Sequence, residues 1–322
     1  MHPTNEPMAP RGRRRRSRFS VVIALAAVLG ILLAACGSDS DSSSSDTTPK
    51  EGPAISIGAQ DFPESLLLSE LYSQVFNAEG YTSSVQELGG YRDLLYGAFE
   101  TGDVNFALEY AASMLNYLAK PESPAGTDAD DNVAAATPLL EAKDIQIAKA
   151  SDAIDTNAFV MTKAKSEELG IKSLSDLASK GSSLKLGGPS DCETNAFCIP
   201  GLERVYGVDL SKNFQALDKG VADAVSGGQI DVGVLFSTDP PTTDDTFVVL
   251  KDDKKMLAAD NIVPIMSKEV AEAYGEDFVD LVNKISAALT TENVAEMNKA
   301  YIVDKEEAAD IVKRFIDDHD LN

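Results

Sequence analysis

Gly102-Asp103-Val104-Asn105-Phe106-Ala107-Leu108-Glu109-Tyr110 and Gly228-Gln229-Ile230-Asp231-Val232-Gly233-Val234-Leu235-Phe236 read as one motif used twice: a glycine, a short strand, and an aromatic eight residues after the glycine. Each glycine stands four positions after an alanine, Ala98 or Ala224, at the end of a helical pattern where a left-handed cap is expected. Further upstream, Ile55-Ser56-Ile57-Gly58 and Leu184-Lys185-Leu186-Gly187 alternate like strands that run into a glycine turn. Strand, helix, strand, helix, strand is the pattern of a parallel sheet with right-handed crossovers, and here it occurs twice. An α/β fold with two lobes is expected. Ligands of such sheets bind at the carboxyl ends of the strands, so Tyr110 and Phe236 are expected to face a shared cleft; the alternative is a pair of core aromatics at matching positions.

The joins between the lobes follow from the same pattern. Residues 145–148 and 158–161 read as strands on either side of Asp155-Thr156-Asn157, and Asn261-Ile262-Val263-Pro264-Ile265 returns the chain toward the first lobe. Two crossings make a hinge that can close without unfolding either core. Pro264 cannot donate to a central ladder, so a crossing or edge position is expected for it. The division is lobe one at 53–154 plus 265–322 and lobe two at 155–264. From Lys268 to Leu321 the periodicity is helical, with Phe278, Leu281, Val282, Ile285 and Leu289 on one face that should pack on lobe one.

Ahead of the lobes, a basic run from Arg11 to Arg18, broken by Gly12 and Ser17, precedes an uncharged stretch from Phe19 to Ala35 that ends in Leu33-Ala34-Ala35-Cys36. This resembles a bacterial lipoprotein signal, with arginines held on the cytoplasmic side and small residues admitting a peptidase before Cys36. An ordinary N-terminal membrane helix is the alternative, but the apolar stretch is short and a Ser/Asp tract follows at once. Residues 1–35 are read as a removable leader, Cys36 as a lipidated residue, and 36–52 as a flexible tether, since Gly37 to Gly52 holds no aliphatic or aromatic side chain. The expected place is the outer face of the cytoplasmic membrane.

With 28 Lys and Arg against 52 Asp and Glu, the chain carries a net charge of −24, and the leader holds six of the arginines. Nucleic acid and anionic lipid are poor partners for such a surface. Of three cysteines, Cys36 goes to lipid, which leaves Cys192 and Cys198. A disulfide is their simplest fate outside the membrane; two free thiols are the alternative, and a metal site would need further soft ligands. His2 lies in the leader, so His319 is the one histidine left, and histidine-based catalysis is not expected. No phosphate loop, metalloprotease motif or nucleophile elbow is present. A carboxylate pair for hydrolysis remains open by residue type, but nothing selects one. No catalytic residue, cofactor or metal is assigned, and a monomer is expected.

Residues 56–65 (SIGAQDFPES), 109–113 (EYAAS), 236–239 (FSTD) and 248–254 (VVLKDDK) resemble the glycine betaine, carnitine and choline binding proteins of osmoprotectant ABC importers. The likeness covers essentially all of 53–322. It implies a type II periplasmic-binding-protein fold, two lobes that close on one solute, and delivery to a membrane permease driven by an ATPase. It also implies site residues. Tyr110 matches the family tyrosine, and Ser113 stands where a threonine offers a hydroxyl. Phe236 takes the place of a frequent tyrosine. Asp155 matches an acidic position whose backbone contacts ligand, and Asn157 replaces an aromatic. Asn261 lies where a further aromatic is common, and Gln60 falls at a polar position that reaches a ligand carboxylate. The Cys192–Cys198 loop lacks the arginine found in some members. A quaternary ammonium has no N–H to donate and depends on ring faces. Either Phe62, Tyr91 and Phe197 complete the cage from new directions, or the solute is a more polar one, such as an amino-acid derivative.

Overall fold

The computed structural model describes residues 49–321 apart from 121, 123, 124, 181, 182 and 218. The expected leader, Cys36 and most of the tether lie outside the described residues. The chain runs β1 (Ile55–Ala59), α1 (Pro63–Ala78), β2 (Ser83–Glu87), α2 (Arg92–Thr101), β3 (Phe106–Tyr110), α3 (Ala111–Leu118), α4 (Ala129–Glu141) and β4 (Ile145–Ile147). It continues through β5 (Asn157–Thr162), α5 (Lys163–Leu169), α6 (Leu174–Lys180), β6 (Leu186–Gly188), α7 (Ile199–Gly201), β7 (Phe214–Ala216), α8 (Val221–Ser226), β8 (Val232–Phe236) and β9 (Phe247–Val249). It closes with β10 (Ile262–Ser267), α9 (Lys268–Tyr274), α10 (Glu276–Ala288), α11 (Thr291–Ile302) and α12 (Ala308–Asp318).

These strands form two five-stranded sheets, ordered β2-β1-β3-β10-β4 and β7-β6-β8-β5-β9. The doubling expected from the sequence is present strand for strand. β1 pairs in parallel with β2 and β3, and β6 with β7 and β8. In each sheet one strand is antiparallel to its neighbours, β10 in the first and β5 in the second. Each of these strands enters directly after a crossing from the other sheet. The two crossings lie side by side: Ile154 bridges Asn261, the Ile262 N–H donates to the Ala153 carbonyl at 3.0 Å, and the Asp155 N–H to the Asp260 carbonyl at 3.1 Å.

Two local expectations need correction. Gly58 and Gly187 do not make turns, because β1 and β6 continue through them. Their lack of a side chain makes room for neighbouring apolar side chains: a Cβ on Gly58 would lie 2.8 Å from Leu95 Cδ1, and one on Gly187 2.6 Å from Ile230 Cδ1. Pro264 is not at an edge but in β10, between β3 and β4. It is tolerated because the Ala148 N–H donates to its carbonyl at 2.9 Å while the reciprocal bond, which would need an N–H on Pro264, falls where β4 has already ended. The expected caps do form, with Gly102 at φ 78° and Gly228 at φ 68°.

Alternation along the first sheet splits its core in two. Phe106, Leu108, Ile262 and Met266 pack on one face with α1 and the C-terminal helices, while Ala107, Val263 and Ile265 pack on the other with α2 to α4. Phe278, Val282, Ile285 and Leu289 of the predicted α10 face are all buried in the first cluster, and Leu281 packs against it. Phe278 sits 4.9 Å from the Phe76 ring, which is itself 5.2 Å from Phe106. The second sheet has its own core, which includes Cys192 and Cys198, joined as a disulfide with Cα atoms 5.2 Å apart. Among the described residues no helix is long and apolar enough to cross a membrane. Phe278→Ala is expected to cost about 3–5 kcal/mol in urea unfolding, as removal of a fully buried ring does, whereas Val249→Ala at an exposed position of β9 should cost under about 0.5 kcal/mol.

Candidate functional site

The carboxyl ends of β1, β3 and β8 point at one place, and the residues at and just beyond each strand end line it. After β1 come Gln60, Phe62 and Glu64 at the start of α1; β3 ends in Tyr110; β8 ends in Phe236 and leads to Thr238 and Asp239. The start of α2 adds Tyr91 and Arg92, and the crossings add Asp155 and Asp260. Together they enclose a cavity of 430 Å³ that joins a second of 610 Å³, the two sharing Ser113, Asp155, Phe236 and Asp260. The larger one is walled by the Cys192–Cys198 loop through Thr194, Asn195 and Phe197, with Asp191 beside it.

Four rings meet the smaller cavity: Phe62, Tyr91, Tyr110 and Phe236. Phe62 and Tyr110 lie 6.0 Å apart, tilted by 43°. Tyr110 is 5% exposed, while Tyr91 and Phe236 are 65% and 47% exposed. Four carboxylates meet the same cavity, from Glu64, Asp155, Asp239 and Asp260, and Arg92 is the cation beside them. Arg92 is committed elsewhere. Its Nη2 lies 2.9 Å from Glu109 Oε2 and its Nε donates to both Glu109 oxygens at 3.0 and 3.2 Å, with the Glu109 side chain fully buried. The cavity therefore has an excess of negative charge.

Hydrogen bonds organise these acids. Glu64 Oε1 accepts from the Tyr110 hydroxyl at 2.6 Å, and Oε2 from Asn298 Nδ2 at 2.6 Å. Asn298 also donates to the Thr238 carbonyl at 3.0 Å, and the Thr238 hydroxyl donates to Asp155 Oδ1 at 2.8 Å. Asp260 accepts the Ser113 N–H at 2.9 Å and its hydroxyl at 2.5 Å, which caps the start of α3. Burial raises the pKa of each carboxyl. Glu64 is raised by burial, opposed by the bonds from Thr238, Tyr110 and Asn298. Asp155 is pushed well above the usual range by burial and then by the charge of Glu64. Burial likewise raises Asp239 and Asp260. The Tyr110 phenol stays neutral, held well above its ordinary value by burial and by Glu64.

The residues singled out from sequence fall into three groups. Gln60, Phe62, Tyr91, Tyr110, Ser113, Asp155 and Phe236 line the smaller cavity. Asn157 and Phe197 line the larger one, where Asn157 Nδ2 donates to the Phe197 carbonyl at 3.2 Å. Asn261 lines neither. Its side-chain amide donates to the Ser151 carbonyl at 2.8 Å inside the paired crossings, and its neighbour Asp260 faces the cavity instead. Ser113 already donates its hydroxyl hydrogen bond to Asp260, and Glu64 in the first turn of α1 brings a negative charge to that helix start. Gln60 Nε2 is buried without a partner and remains a free donor.

Sequence reasoning missed Glu64, Arg92, Thr238, Asp239, Asp260 and Asn298. Glu64, Thr238 and Asp239 lay inside quoted segments and were available; Asn298 carried no signal, sitting on an ordinary helical pattern 234 positions from its partner.

Residues 53–318 match the family model for the substrate binding domain of ABC-type glycine betaine transport systems. The chain is similar to a glycine-betaine-binding protein of Pseudomonas aeruginosa, 25% identical over 288 residues that span 84% of this chain and 89% of that one. Its fold is similar to the crystal structure of a glycine betaine/carnitine/choline ABC transporter, with a TM-score of 0.74 and 21% identity over 83% of this chain and 99% of that one. It is also similar to apo YehZ from Escherichia coli, with a TM-score of 0.70 and 18% identity over 84% and 99% of the two chains.

Glu109→Ala strands the Arg92 guanidinium in a mostly buried setting, and should lower unfolding stability in urea by about 3 kcal/mol. A loss under about 1 kcal/mol would mean that Arg92 finds another anion.

Proposed function

The chain belongs to the family of substrate-binding domains of ABC-type glycine betaine transport systems, and we propose that it is a lipid-anchored, extracytoplasmic receptor that captures a small quaternary ammonium osmoprotectant and hands it to a membrane permease. It is a binding protein and not an enzyme, so the carboxylate-pair hydrolase is set aside. The supporting observation for the solute is the four rings and four carboxylates on one cavity of 430 Å³. An ammonium without N–H gains from ring faces, each contributing roughly 0.5 to 2 kcal/mol when desolvated. The carboxylates supply the counter-charge. With Arg92 already paired to Glu109, the balance favours a net cation such as choline over a zwitterion such as glycine betaine. A solute with its own hydrogen-bonding groups is the second reading, and the unpartnered Gln60 Nε2 is what favours it.

Closure of the two sheets about the paired crossings would bring Phe236 toward the already buried Tyr110 and remove the half-exposed Phe236 ring from water. Delivery to the permease and its ATPase, and anchoring through Cys36, rest on the family and on the leader sequence. A thermal-shift series with choline, glycine betaine, carnitine and proline betaine is expected to raise the melting temperature, most with choline, because a ligand that binds the native state alone stabilises it. No response to any of the four would sink the reading. Phe236→Ala should weaken choline binding about tenfold by calorimetry and leave the melting temperature of the free protein unchanged, since the ring is half exposed.

A further inference from the structure

The smaller cavity, with its four rings, joins a larger one of different chemistry. A trimethylammonium head fills about 150 Å³, at roughly 30 Å³ per non-hydrogen atom as in liquid water. The smaller cavity, at 430 Å³, holds such a head with room to spare, and the 610 Å³ beside it is left to whatever the head carries. Amides and hydroxyls wall that space: Asn116 from α3, Thr156 and Asn157 where the chain enters β5, and Thr194 and Asn195 from the Cys192–Cys198 loop, with Phe197 the one ring not shared with the smaller cavity. Three acids also reach it, Asp155, Asp191 and Asp260, and among the described residues no lysine or arginine does. Arg204 donates to the Ala196 carbonyl at 3.1 Å and does not line the cavity. We propose that the larger cavity is a second subsite, which takes a neutral, hydrogen-bond-donating tail of the solute whose ammonium head sits in the smaller one, and which rejects a carboxylate tail. The inference rests on the reading of the solute as a quaternary ammonium.

The groups that would meet the tail are already held by the fold. The Thr156 N–H donates to Ser237 Oγ at 3.0 Å and its carbonyl accepts the Ser237 N–H at 2.8 Å, so the residue is fixed through its backbone while its hydroxyl has no partner among the described residues. Asn157 is fixed by the pairing of β5 with Phe236 and by its Nδ2 bond to the Phe197 carbonyl at 3.2 Å, which leaves Oδ1 as an acceptor. Asp155 takes the Thr238 hydroxyl on Oδ1, which leaves Oδ2. Acceptors held in this way lose little freedom when a tail arrives, and each suits an O–H or N–H. A carboxylate tail would instead lie among three acids with no cation to pair with it, and like charges brought together oppose binding.

Calorimetry of the protein with tetramethylammonium, choline, L-carnitine and L-carnitinamide separates head from tail, because the last two differ only in a carboxylate against a primary amide. Carnitinamide is expected to bind about tenfold tighter than tetramethylammonium, as one or two added hydrogen bonds give, and about tenfold tighter than carnitine. Ala196→Lys, at an exposed position on the wall of the larger cavity, supplies the missing cation and should raise the affinity for carnitine relative to carnitinamide by about tenfold. Equal affinity for carnitine and carnitinamide, or for carnitinamide and tetramethylammonium, would overturn the second subsite, as would an Ala196→Lys protein in which the ratio is unaltered. Failure of all four to bind would refute the ammonium reading itself, and the subsite with it.

Discussion

Everything in this molecule depends on the pairing of its two crossings. Ile154 bridges Asn261, and on either side β5 and β10 pass straight into the opposite sheet as its one antiparallel strand. A strand hydrogen-bonded on both edges is held firmly in its sheet, so the paired crossings root one strand of each sheet in place. The same two segments deliver Asp155 and Asp260 into the cleft. Two of the acids on the cavity are thus placed on the paired crossings themselves.

The site balances rings against acids. An aromatic cage that relies on ring faces alone needs a neutral surrounding or a modest negative field. Here rings and acids occur in equal number on the smaller cavity, and the acids are tied into the fold by hydrogen bonds. Asp260 closes the start of α3, and Glu64 links α1 to β3 and α11. Each carboxyl therefore has a structural tie as well as a place on the cavity wall. Removing one would alter the framework and the field together.

Much of the architecture was legible because it is local. Strand alternation, left-handed glycines at 102 and 228, and the α10 face are set by residues a few positions apart. The repeat placed Tyr110 and Phe236 on one cavity by counting alone. What sequence did not disclose is long-range. Asn298 acquires its meaning only when α11 folds against Glu64, and Asp260 only when the second crossing reaches α3. The resemblance points to Asn261 because the family's aromatic lies near there; in the fold Asp260, one residue earlier, lines the cavity, and Asn261 turns into the crossing. Pro264 misled for a related reason, since which of its sides lacks a neighbour depends on where β4 ends.

The disulfide between Cys192 and Cys198 encloses Glu193, Thr194, Asn195, Ala196 and Phe197, and all of these except Glu193 wall the larger cavity. Beyond the bond that limits the unfolded chain, this short arch is held by its own polar side chains: the Thr194 hydroxyl donates to the Asp191 carbonyl at 3.2 Å, and Asn195 Oδ1 accepts from the Phe197 N–H at 2.9 Å. Ala196 lends no side chain to those bonds, so a change there would alter the cavity wall and leave the arch in place.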